Sequence, residues 1–99
     1  MKYTIKHTTA FKKAYKRCIK QHLDITLLDG IIKKLANGEP LDKRHHDHAL
    51  TGNFAGFREC HIKPDWLLLY RTNNDVLILT LVDIMGPMSR PLFKILRVS

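Results

Sequence analysis

The spacing of the apolar residues changes once along this chain, and that change limits the possible folds more than any other feature. In the first third, side chains recur at three- and four-residue spacing. Thr8 or Thr9 can cap a helix that carries Phe11, Ala14, Tyr15, Cys18, Ile19 and His22 on one face and Lys12, Lys13, Lys16, Arg17 and Lys20 on the other. Asp24 can cap a second helix bearing Ile25, Leu27, Leu28, Ile31, Ile32 and Leu35, which stops at Asn37-Gly38 with Pro40 just beyond. Two helices so close in sequence form a hairpin. After residue 56 the helical spacing is gone: strand-like runs at 56–62, 66–72 and 76–82 are separated by Lys63-Pro64-Asp65 and Asn73-Asn74-Asp75.

Residues 3–7 alternate apolar and polar side chains and suit a short strand ahead of the helices. The order β-α-α-β-β-β predicts an α+β fold in which a two-helix hairpin packs on one face of a twisted, mainly antiparallel sheet. The nearly unbroken apolar run at 76–82 suits a strand covered on both faces. The other sheet face is expected to be open to a substrate. Residues 41–55 lose periodicity and read as a long polar loop, the kind of segment that in small domains is often functional. The chain reads as a single domain, 1–99, with 94–99 as an extension.

A domain of 99 residues leaves little room for an enclosed cofactor cavity, so an active site should be a surface groove and no cofactor is expected. Lys and Arg total 17 against 9 Asp and Glu, a net charge of +8 that favours a polyanionic partner through counterion release. No apolar run is long enough to span a bilayer and no charged-then-apolar leader pattern opens the chain, so a cytoplasmic protein without membrane contact is expected. Cys18 and Cys60 both fall at apolar-face positions and read as reduced core residues.

Chemistry is concentrated after residue 42. In the strand at 56–62 the pleat sends Cys60 and Ile62 to one face and Phe57, Glu59 and His61 to the other. His61 therefore faces the open groove, Asp65 follows in the turn, Trp66 opens the next strand, and the long loop can bring His48 alongside. Metal-free RNA cleavage needs a base for the ribose 2′-hydroxyl, an acid for the leaving 5′-oxygen and cations for the phosphorane. Histidine suits the first two roles, since its unperturbed pKa of about 6.5 keeps both protonation states available. Trp66 or Phe93 would stack on an extruded base, worth about 1 to 3 kcal/mol. The run His45-His46-Asp47-His48 is ligand-dense, but adjacent side chains of an extended loop point apart, and no metal site is assigned. His45 and His46 read as a solvated loop.

The run Asp47-His48-Ala49-Leu50-Thr51-Gly52, followed by Gly56-Phe57-Arg58-Glu59-Cys60-His61-Ile62-Lys63-Pro64-Asp65-Trp66-Leu67-Leu68-Leu69-Tyr70, resembles the signature of the YafQ branch of RelE-type toxins. The resemblance implies a microbial-RNase-like fold and a type II toxin that cuts mRNA in the ribosomal A site. It implies cleavage without metal to a 2′,3′-cyclic phosphate and silencing by an antitoxin of the DinJ/RelB kind. It assigns acid/base and positioning roles to His48, His61 and Asp65, and places Trp66 and Phe93 along the groove. Arg58, Arg71, Arg90, Lys43 and Arg44 are the candidate RNA contacts, although the pleat sets Arg58 opposite His61, where a structural role fits equally well. The tail departs from the family pattern: where relatives carry a catalytic histidine before Leu-Phe, this chain reads Gly86-Pro87-Met88-Ser89-Arg90-Pro91-Leu92-Phe93. An RNA- or antitoxin-binding relative with weakened catalysis is the alternative.

If about five phosphates of single-stranded RNA are neutralised, the log-log salt slope of ribosome or RNA binding should be about −3.5, at about −0.7 per phosphate. A filter-binding titration across salt concentrations measures it, and a flat response would show that the positive charge serves another purpose.

Overall fold

The computed structural model describes residues 1–86. Its elements are β1 (Thr4–His7), α1 (Thr9–Lys20), α2 (Ile25–Ala36), β2 (His48–Ala49), β3 (Arg58–Lys63), β4 (Trp66–Asn73) and β5 (Ile78–Met85). The expected α+β order is present, with one addition: the long loop contributes the two-residue strand β2. One five-stranded sheet runs β1-β5-β4-β3-β2, parallel between β1 and β5 and antiparallel elsewhere.

Both helices start and stop for local reasons. Thr8 accepts from the Phe11 N–H at 3.0 Å and Asp24 accepts from the Thr26 N–H at 3.2 Å, each satisfying an otherwise orphaned donor of the first turn. At the end of α2, Gly38 (φ +73°) bonds back to Leu35 and Glu39 to Lys34, a Schellman motif. The left-handed backbone at Gly38 favours glycine, since a Cβ there would be strained. The same motif closes α1, where His22 adopts φ +59° and the N–H groups of His22 and Leu23 return to Ile19 and Cys18. His22 therefore lies outside the helix that its spacing suggested.

The core lies between the helix pair and one sheet face. Phe11, Ala14 and Cys18 of α1 and Leu28, Ile31 and Leu35 of α2 meet Cys60, Ile62, Trp66, Leu68, Tyr70, Leu79, Leu81 and Ile84. Ile32 and Tyr15 pack at its margin. Ile19 and Leu27 do not join it, being 52% and 40% exposed. Each sits at the edge of an apolar stripe wider than the sheet covers. The apolar run at 76–82 is also displaced, because Val76 and Leu77 are exposed in the turn and β5 begins at Ile78.

Trp66 overturns a sequence expectation. It is 1% exposed and packs with Leu68 and Tyr70 in the helix-side core, so it does not line the open groove. Cys60 pairs with Leu68 and His61 with Leu67, so alternation along β4 already puts Trp66 on the side of Leu68, Cys60 and Ile62; the register then slips between His61 and Lys63, pairing Lys63 with Trp66.

Trp66→Ala should lower the unfolding free energy by about 3–5 kcal/mol, the usual range for a large buried aromatic. Urea denaturation checks this. Unchanged stability with weakened RNA affinity would return Trp66 to the groove.

Candidate active site

The site forms where the loop after α2 is pinned along the edge of β3. A short 3₁₀ turn, Lys43–His45, is capped by Asp42, whose carboxylate accepts from the Arg44 N–H at 3.0 Å. That N–H is the main reason the Asp42 carboxyl titrates below its ordinary range. The His45 ring donates through Nδ1 to the His61 carbonyl at 2.7 Å, so His45 is an anchor on β3, contrary to the expected solvated loop. His46, with φ +45°, turns the chain into β2, and its exposed ring stands edge-on to His61 at 5.5 Å between centroids. It too belongs to the site.

β2 then pairs His48 directly with Glu59. Facing residues on adjacent strands project to the same side, and His48 Nε2 lies 3.5 Å from the Glu59 carboxylate. The other ring nitrogen, Nδ1, lies 2.5 Å from the His46 carbonyl. A carbonyl only accepts, so Nδ1 carries the ring proton, and Nε2 is turned towards the Glu59 carboxylate. Glu59 is fully buried on a face whose floor includes the buried Leu67 and Leu69. The His48 side chain is 45% exposed, so its ring stands between that buried carboxylate and solvent. Glu59 is the residue sequence reasoning passed over, although its alternation with His61 already placed it on the site face.

His61, whose ring centroid is 6.5 Å from that of His48, is held differently. Its Nδ1 donates to the Pro64 carbonyl at 3.2 Å. In the neutral ring this leaves the lone pair on Nε2, and no protein partner engages Nε2 among the described residues. One histidine thus sets its Nε2 against a carboxylate while its neighbour offers an unengaged nitrogen. Asp65 follows Pro64 in the exposed β3–β4 turn, beside this pair.

The remaining candidates are dispersed. Arg71 is on the same face as Glu59 and His61, its guanidinium 5.3 Å from the Phe57 ring centroid. Lys43 and Arg44 are exposed on the 3₁₀ turn, Arg44 at 3.9 Å from Asp42. Arg58 projects to the reverse face, 3.4 Å from the Asp47 carboxylate and 3.4 Å from the Tyr70 hydroxyl. Arg90 and Phe93, together with Met88 and Ser89, lie outside the described residues. Also among the described residues, no group of three or more His, Cys, Asp or Glu is arranged to hold a metal ion. Behind the site, burial and then the Asp47 and Glu59 carboxylates push the Cys60 thiol up from its ordinary 9.0 to about 12.

Among the described residues the chain is a basic α+β domain with a histidine-lined sheet face that neither helix covers, and its class is that of a bacterial toxin of a type II toxin-antitoxin system. The family described as "Bacterial toxin of type II toxin-antitoxin system, YafQ" matches residues 3–86, and this chain belongs to that family. The mRNA interferase toxin YafQ of Escherichia coli strain K12 is 32% identical over 74 residues, 74% of this chain and 80% of that protein. A metal-bound toxin from Helicobacter pylori superposes with a TM-score of 0.80 at 37% identity, over 85% of this chain and 93% of that one. The toxin in the E. coli DinJ-YafQ complex superposes with a TM-score of 0.78 at 28% identity, over 85% of this chain and 92% of that one.

The Cys60 thiol gives a pH test. Its folded value is raised, so its contribution to stability is complete below about pH 9 and is lost as pH rises from 9.0 towards about 12. Over that interval Cys60→Ala should flatten the fall of stability with pH by about one proton. Denaturant melts at stepped pH measure the slope, and an unchanged slope would mean that the thiol ionises as freely folded as unfolded.

Proposed function

We propose that this chain is a ribosome-dependent mRNA endonuclease, with residues 1–99 as a single toxin domain, acting in the cytoplasm and silenced by a DinJ/RelB-type antitoxin. The observation that carries the reading is the unequal pair of histidines: His61, with Nε2 unengaged among the described residues, beside His48, with Nε2 set against the Glu59 carboxylate. His61 Nε2 takes the proton of the ribose 2′-hydroxyl. The 2′-oxygen attacks the adjacent phosphorus, the P–O5′ bond breaks, and His48 returns a proton to the leaving 5′-oxygen. The products are a 2′,3′-cyclic phosphate and a 5′-hydroxyl end. Asp65, in the turn beside His61, orients the attacking ribose. Arg71, Lys43 and Arg44 bind flanking phosphates; Arg58, turned away from the site, does not.

The family membership and the mRNA interferase name of the E. coli relative support the substrate, and that relative's complex with DinJ supports the partner. The exposed basic face of α1, with Lys12, Lys13, Lys16, Arg17 and Lys20, supports a large polyanionic surface such as the ribosome. Among the described residues, no helix is long and apolar enough to cross a membrane.

Expressed without antitoxin, the chain should arrest growth and create new mRNA 5′ ends on translating ribosomes. His61→Ala and His48→Ala should each slow cleavage by about 10²- to 10⁴-fold while leaving the circular dichroism spectrum unchanged. Cleavage by ribosome-bound toxin that is indifferent to both substitutions would remove the assignment.

A further inference from the structure

The motif leaves Asp47, Arg58 and Tyr70 without a chemical role, and the structure brings all three together. In the antiparallel pairings Arg58 faces Ala49 on one side and Tyr70 on the other, while Asp47 precedes β2 by one residue. The pleat therefore sends Asp47, Arg58 and Tyr70 to one side of the sheet, and His48 and Glu59 to the opposite side. On the reverse side the Tyr70 hydroxyl, 2% exposed as a residue, donates to Asp47 Oδ1 at 2.5 Å. Arg58 Nε lies 3.4 Å from that same Oδ1 and donates to the Tyr70 oxygen at 3.4 Å.

We infer that Asp47, Arg58 and Tyr70 form a latch on the reverse face of the sheet that fixes the register of β2 and thereby positions the His48 imidazole against Glu59. β2 is two residues long and, among the described residues, joins the sheet through β3 alone. So short a strand has few backbone bonds to hold it, and a one-residue slip would send the His48 ring to the wrong face. The Asp47 carboxylate, gripped by two donors on the partner strands, blocks that slip, and it is adjacent in sequence to the residue it fixes. Burial and the bond to Asp47 keep the Tyr70 phenol protonated well above its ordinary range. For Arg58, burial acts downward, but the Tyr70 and Asp47 contacts outweigh it, so the guanidinium remains charged. These three are positioning residues; none of them faces the cleavage site.

The inference rests on His48 acting in cleavage, and two readouts on the full chain separate the claims. Tyr70→Phe keeps the ring in the core and removes the donor, and Asp47→Asn weakens the grip without a change in size. In nitrogen-15 imidazole spectra, both variants should shift and broaden the His48 signals while those of His61, held by Pro64, stay in place. Unchanged His48 signals would overturn the latch whatever the activity does. In cleavage of ribosome-bound mRNA, Tyr70→Phe should lower kcat by about 10- to 100-fold, the scale of an ångström-level misplacement, with KM within about twofold. Tyr70→Phe combined with His48→Ala should be no slower than His48→Ala alone, and a full additional loss would overturn the latch. If His48→Ala cleaves at the parental rate, it is the assignment of His48 that fails, and the spectra still decide the latch.

Discussion

The two-residue alternation of β3 and β4 is the constraint on which the rest of this protein depends. One strand, Arg58–Lys63, supplies Cys60 and Ile62 to the core and Glu59 and His61 to the site. Stability and chemistry are thus set by a single register. The pairing of Cys60 with Leu68 and of His61 with Leu67 carries that division into β4, so Trp66 joins Leu68 in the core while His61 reaches the Pro64 carbonyl. The buried carboxylate of Glu59 is faced by the imidazole of its strand partner His48, 3.5 Å away.

What was legible in the sequence follows from which interactions are local. Helix caps depend on residues two or three positions away, so Thr8, Asp24 and the Asn37-Gly38 stop could be read directly. The end of α1 could not, because His22 takes the left-handed position usually left to glycine, and its spacing continues the apolar stripe. Ile19 and Val76 show the opposite failure: apolar character marks a residue as suitable for burial, and only the extent of the neighbouring element decides whether it is covered.

Within the site, the division of His61 from Cys60 was legible from the pleat alone. The placement of Trp66 needed the pairing of β3 with β4: Cys60 faces Leu68, which puts Trp66, two residues earlier, on the core side, and the sequence alone does not give that register. Glu59 and His46 were missed for a related reason. Their roles come from pairings between a polar loop and a strand edge, and no period in a loop announces those. The motif itself held more than catalysis: Asp47 and Tyr70, 23 positions apart in sequence, meet through one hydrogen bond on the far side of the sheet.

The account turns on proton transfer by two unequally held histidines to and from the RNA's own ribose, and the chemistry of the cut ends tests this most directly. Analysis of mRNA fragments released by the purified chain on ribosomes should find 2′,3′-cyclic phosphate on the upstream fragment and a 5′-hydroxyl on the downstream one. Fragments carrying a 3′-hydroxyl and a 5′-phosphate would show that water, and not the 2′-oxygen, attacks phosphorus, and would contradict the roles given to His61 and His48.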